Sequence, residues 1–141
     1  MSNGVIRDLV LKLKEFPKQL EVLGSKKPSR PFFTVDDCVA AIMHGFDNSN
    51  ESYQVFNIAG SGSVNVGQLV GILLKAVGRE NLPVVYSVGE DPERGWTGSA
   101  IEVCIDPTKL RELGWEAQTS PKAAVKRACR EILDFHGVSD E

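Results

Sequence analysis

The chain has 141 residues, 42% of them hydrophobic and 25% charged, with a net charge of −3. That length predicts one domain, residues 1–141, large enough to bury a core, and the charge leaves no basic footprint for nucleic acid or an acidic membrane. No apolar run approaches the roughly 18 residues that span a bilayer. Three widely spaced cysteines, Cys38, Cys104 and Cys129, without a secretion signal predict reduced thiols in a cytoplasmic protein.

In chain order, the first predicted element is a helix with Val5, Ile6, Leu9, Val10, Leu13 and Phe16 on its apolar face, stopped by Pro17. A chain that opens directly on such a helix reads as a cut end. Residues 20–23 alternate as a short strand ending at Gly24. The loop after it carries Lys26, Lys27 and Arg30, which read as a basic solvated loop or as a phosphate-binding rim. Arg30 stands between Pro28 and Pro31 on a stiff, extended approach. The residues alone favour a solvated surface arginine, with an anion contact as the alternative. Phe32, Phe33 and Val35 are aromatic or β-branched and predict a strand. Thr34 and Asp37 then have the spacing of a capping box, and Val35, Val39, Ile42, Met43 and Phe46 form one apolar helical stripe.

A polar loop follows, and residues 53–59 are the most strand-like run, with an apolar end that predicts burial. Gly60 and Gly62 begin a G-x-G, but position 65 holds asparagine, so the spacing refuses a dinucleotide fingerprint. Asn65 instead fits an N-cap with Gln68 at N3, opening a helix with Leu69, Ile72, Leu73, Ala76 and Val77 on one face. Residues 83–88 predict a strand. The glycine-rich loop 89–99 holds a second lone arginine, Arg94, beside Trp96, and 101–105 alternates as a strand. Asp106 and Pro107 predict the N-cap and first position of a short helix closed by Gly114, with Trp115 packed behind it. Ser120 and Pro121 start the last helix, with Val125, Ala128, Cys129 and Ile132 inward and Gly137 at its end.

The titratable inventory contains no recognisable active site. His44 and His136 lack partners at metal-ligand spacing, no G-x-S-x-G elbow is present, and Asp36-Asp37 reads as helix capping rather than acid–base chemistry. What remains is two loop arginines whose planar forks suit a diphosphate.

With these residues in view, positions 4–135 resemble the carboxyl-terminal part of an extended short-chain dehydrogenase/reductase, the NAD-dependent nucleotide-sugar epimerase and dehydratase family. The resemblance is carried by Gly4-Val5-Ile6, Leu23-Gly24, Arg30-Pro-Phe-Phe-Thr-Val-Asp-Asp, Phe56-Asn57-Ile58-Ala59-Gly60-Ser61-Gly62, Ser63-Val64-Asn65-Val66, Arg94-Gly95-Trp96-Thr97-Gly98 and Asp106-Pro-Thr-Lys-Leu-Arg-Glu-Leu-Gly-Trp115. It implies an α/β fold of short strands and about five helices, the substrate-binding lobe of a Rossmann-type enzyme without its dinucleotide-binding half. It also implies that Arg30, Phe32 and Arg94 hold the diphosphate and base of a UDP-sugar. Ser99 stands where the family often places an aspartate against the ribose, which leaves the nucleotide open.

The family's Tyr-x-x-x-Lys is missing: four residues after Tyr53 and Tyr86 stand Asn57 and Glu90. No catalytic, cofactor-binding or metal-binding residue is therefore expected in this chain, and the chain alone is expected to be inactive. In an intact enzyme the resemblance implies NAD as cofactor, transient oxidation of a sugar carbon and re-reduction from the other face. It further implies that residues 53–59 join the Rossmann sheet there, and that alone they form an edge open to self-association. Two alternatives remain: a stand-alone, non-catalytic binding module built on the same lobe, or a subunit that meets a separately encoded catalytic half.

Overall fold

A computed structural model describes residues 4–87 and 100–138. Helix α1 (Val5–Glu15) buries Ile6, Leu9, Val10 and Leu13, the i, i+3, i+4, i+7 face expected of it. Strand β1 (Leu20–Leu23) follows. Strand β2 is just Ser29–Arg30, and helix α2 runs over Val35–Asn48. Strand β3 (Val64–Asn65) leads straight into helix α3 (Val66–Ala76). Strand β4 spans Val84–Ser87, helix α4 Thr108–Glu112 and helix α5 Pro121–His136. Among the described residues this is a small α/β fold with five helices and short strands, as the resemblance implies.

β1 pairs with β4 in parallel, from Leu20 opposite Val84 to Leu23 opposite Ser87. A parallel pair needs a crossover, here supplied by everything from β2 to α3. β2 pairs antiparallel with β3, Ser29 opposite Asn65 and Arg30 opposite Val64. Helices α1, α3 and α5 close on β1 around one core that contains Leu9, Leu13, Leu20, Leu73, Val125 and Cys129. The capping box predicted for α3 is present: Asn65 Oδ1 accepts from the Gln68 N–H at 2.8 Å, and Gln68 Oε1 accepts from the Asn65 N–H at 3.1 Å. Ser120 caps α5, and Gly137 ends it in the left-handed region at φ +62°. α4 starts one residue later than expected. Pro107 is its N-cap, and Asp106 Oδ1 accepts the Thr108 N–H at 3.0 Å.

Several expectations change. Residues 53–59, expected as a buried strand, pair with no strand among the described residues, and Phe16, expected on the apolar face of α1, is exposed past its end. Residues 32–34 belong to no strand. Pro31 has no N–H to continue the ladder, and the Phe32 N–H turns back to the Arg30 carbonyl at 3.1 Å. Residues 101–105 supply a single bridge, Glu102 to Ser29, rather than a strand. The largest change concerns α2. Its apolar stripe faces solvent: Val35, Val39, Ile42, Met43 and Phe46 are 52–80% exposed. The buried side is the opposite one, with Asp37, Ala41 and Gly45.

That small-residue side permits close approach. A Cβ on Gly45 would sit 3.5 Å from the Phe56 ring and 3.6 Å from a Leu110 methyl. α2 is thereby seated on a second, smaller core of Ala41, Leu110 and Trp115, flanked by Phe56, Ile58 and Ala117. Polar ties reinforce the seat, among them His44 Nε2, 2.8 Å from the Leu113 carbonyl oxygen, and Asp36 paired with Arg127 of α5.

Candidate functional site

The residues expected to meet a substrate lie around β2. The loop before it wraps the start of α3: the Val66 N–H donates to the Pro28 carbonyl at 3.0 Å and the Gly67 N–H to the Lys26 carbonyl at 3.2 Å. The segment 100–102 lies along the other edge, with the Ser29 N–H donating to the Ile101 carbonyl at 2.8 Å. Ser29 thus sits between β3 and Glu102. Its hydroxyl donates to the Ser63 hydroxyl at 2.8 Å, which ties the glycine turn 60–63 to β2.

Arg30 is half-buried at this junction. Its guanidinium is oriented by backbone: Nη1 donates to the Ser29 carbonyl at 2.7 Å and Nη2 to the Ala100 carbonyl at 3.0 Å. A fork aimed by two carbonyls keeps its orientation at little entropic cost when an anion arrives. Phe32 is half-buried against the main core. The backbone of Gly60 passes close by, where an added Cβ would lie 3.5 Å from the Phe32 carbonyl oxygen and 3.6 Å from Phe33 Cβ. β2, the Phe32 turn and the glycine turn are therefore one packed unit. Arg94 and Ser99, the other two expected substrate residues, lie outside the described residues, as does Trp96. Ala100, which Arg30 holds, is the next residue after Ser99 in the chain.

Of the basic loop, Lys26 Nζ stands 5.0 Å from the ring centroid of Tyr86 in β4, a cation–π contact. Asp37 is structural. Burial opposes its charge, yet hydrogen bonds from the Thr34 hydroxyl, the Gln118 N–H and Thr119 prevail and hold its carboxyl below the usual range. Among the described residues no group of three or more His, Cys, Asp or Glu side chains is placed to hold a metal, and no helix is long and apolar enough to cross a membrane.

A dinucleotide does not fit the glycine turn. The turn runs into β3, and the first turn of α3 is closed by its own Asn65–Gln68 box, so the donors a pyrophosphate would need at that end are engaged internally. The arrangement offers a positioned cation beside a backbone-lined edge, suited to holding an anion.

No family model matches the chain, and no curated protein does. Solved structures do. Among them are nucleotide-sugar epimerases and a dehydratase, and the fold of this chain is theirs. A UDP-galactose 4-epimerase superposes with a TM-score of 0.74 at 24% identity, over 96% of this chain and 42% of its own. The UDP-glucose 4-epimerase of the hyperthermophile Thermotoga maritima, solved with UDP-glucose, gives 0.70 at 27% identity over 94% of this chain and 40% of its own. The dTDP-glucose 4,6-dehydratase of Bacillus anthracis, solved with NAD, gives 0.73 at 18% identity over 96% and 41%. The chain thus spans about two-fifths of the length of the structures it matches.

Proposed function

We propose that this chain is the carboxyl-terminal, substrate-binding lobe of an NAD-dependent nucleotide-sugar epimerase or dehydratase. It holds the diphosphate of a UDP-sugar-like substrate while a separate dinucleotide-binding half performs the chemistry. The observation that carries this reading is the near-complete superposition on nucleotide-sugar enzymes, including one solved with UDP-glucose. Its local support is Arg30, oriented by the Ser29 and Ala100 carbonyls, Ala100 following Ser99 in the chain. In this reading Arg30 and Arg94 clamp the two phosphates, Phe32 shapes the wall behind them and Ser99 meets the ribose. The chain supplies binding and orientation. NAD, held by the other half, supplies the hydride chemistry.

The test is calorimetric titration of the purified chain with UDP-glucose and, in parallel, with NAD. The expected result is weak UDP-glucose binding, lost in Arg94→Ala and weakened at least tenfold in Arg30→Lys, which keeps the charge but not the fork. NAD is expected not to bind. Tight NAD binding, or UDP-glucose binding indifferent to both substitutions, would overturn the reading. Retention of binding in a protein that proves complete at this length would favour the stand-alone module instead.

A further inference from the structure

At the end of α3 away from the Arg30 junction, a groove of about 600 Å³ opens between α3 and α5. The first residues of α3 meet Pro28 and Lys26, whereas Ile72, Lys75 and Ala76 near its other end line the groove. Ile72, Ala76, Leu133 and Val138 give it an apolar floor, continuous with the main core. Its ionic side chains are three cations, Lys75, Lys126 and Arg130, and one carboxylate, Asp134, a formal +2 in a chain of net charge −3. The three cations are exposed, and their side chains make no hydrogen bond or ion pair among the described residues. Lys75 stands in the last turn of α3, where the helix dipole favours a cation. Lys126 and Arg130 lie one turn apart within α5, and no helix end accounts for them.

We infer that this groove is a binding site for a phosphate monoester with an unbranched apolar tail. Along α5 the cations come first, at Lys126 and Arg130, and the apolar Leu133 and Val138 follow. From Lys126 to the helix end at His136 the wall runs roughly 15 Å at helical rise. Charge and apolar surface are therefore graded along one groove, which suits an anionic head and an apolar tail. Asp134, next to Leu133, opposes the reverse orientation. A phosphate monoester carries nearly two negative charges at neutral pH, which match the formal +2. The Arg130 fork can take two phosphate oxygens, while the lysines add point charges. The volume falls in the usual range of small-ligand clefts. An acidic peptide, with carboxylates repeated along its length, would bring one against Asp134, and the flat surface of a bilayer would not reach a floor recessed between two helices.

The test is an amide-shift titration of the whole, isotope-labelled chain with decyl phosphate, kept below its micellar concentration at low salt. The expected result is saturable binding, with shifts confined to residues 72–76 and 126–138. The Kd is expected to fall at least twofold for each CH₂ added from hexyl to decyl phosphate, because the tail leaves water for the apolar floor. Decanoate, with one charge in place of nearly two, is expected to bind at least threefold more weakly. Joint Lys126→Gln and Arg130→Gln substitution is expected to weaken decyl phosphate at least tenfold and to leave the melting temperature unchanged, since both side chains are exposed. An affinity flat with tail length would reduce the site to ion pairing at a basic surface and overturn the inference. So would indifference to the double substitution, decanoate binding as tightly as decyl phosphate, or displacement of the probe by UDP-glucose, which would put the phosphate at the Arg30 junction. UDP-glucose binding indifferent to Arg30→Lys and Arg94→Ala would overturn the proposed function and leave this site standing.

Discussion

Asp37, 6% exposed, reaches across 81 residues: its Oδ1 accepts the Gln118 N–H at 3.0 Å while its Oδ2 takes the Thr34 hydroxyl at 2.8 Å. This carboxylate fixes the start of α2 to the approach of α5. Asp37→Ala removes the charged acceptor of a part-buried N–H and of the Thr34 hydroxyl, which costs about 1–3 kcal/mol; urea denaturation reads the loss.

The same carboxylate makes stability depend on pH. Its carboxyl is held below the ordinary aspartate value by the hydrogen bonds that outweigh burial. A depressed folded value means the unfolded chain binds the proton more tightly, so the contribution is complete above the unfolded value of about 3.9. It disappears as pH falls through the lower folded value. The wild-type melting temperature is expected to drop across that acid window, and Asp37→Asn to flatten the drop while lowering stability at neutral pH. Equal slopes in the two proteins would disprove the assignment.

The three cysteines rank by environment. Cys104 is exposed, Cys38 intermediate and Cys129 buried, and burial pushes the Cys129 thiol up to about 11. The thiolate is the reactive form. Alkylation at pH 8 followed by mass spectrometry is expected to label Cys104 first and Cys129 only under denaturant. Labelling of Cys129 in the native protein at a rate near that of Cys104 would refute the packing of α5.

Core and stripe leucine-like residues part company in the same way. Leu73 is fully buried among α1, β1 and α5, and Leu73→Ala is expected to cost about 2–5 kcal/mol. Ile42 is 56% exposed, so Ile42→Ala in the isolated chain is expected to fall within about 0.5 kcal/mol of wild type. Denaturant midpoints of the two variants measure the contrast.

That contrast also marks how far the sequence was readable. The period of Val35, Val39, Ile42, Met43 and Phe46 correctly announces a helix with an apolar side. Period says nothing of what the side meets, and the buried face, built from Asp37, Ala41 and Gly45, carries almost no apolar signal. Residues 53–59 announce a strand, yet pairing depends on a distant partner and is absent from local pattern. The caps at Thr34, Asn65 and Ser120 are local chemistry and stand where the sequence puts them. Around the site, Arg30 is picked out by its flanking prolines. The carbonyls of Ser29 and Ala100 that orient it carry no residue-type signature, because any backbone supplies them.

The glycine turn beside Arg30 gives the sharpest local test. Gly62 has φ +83°, a conformation that costs an L-residue about 1–2 kcal/mol, and it leads through Ser63 to β3. Gly60 lacks a positive φ, and a Cβ there would find ordinary contacts at 3.5 Å or more. Gly62→Ala is therefore expected to destabilise the fold by about 1–2 kcal/mol and Gly60→Ala to be nearly neutral, although both lie in the same four-residue turn. If instead Gly60→Ala proves the costlier change in thermal denaturation, the turn's close packing on Phe32 and Phe33, rather than its backbone conformation, is what requires glycine.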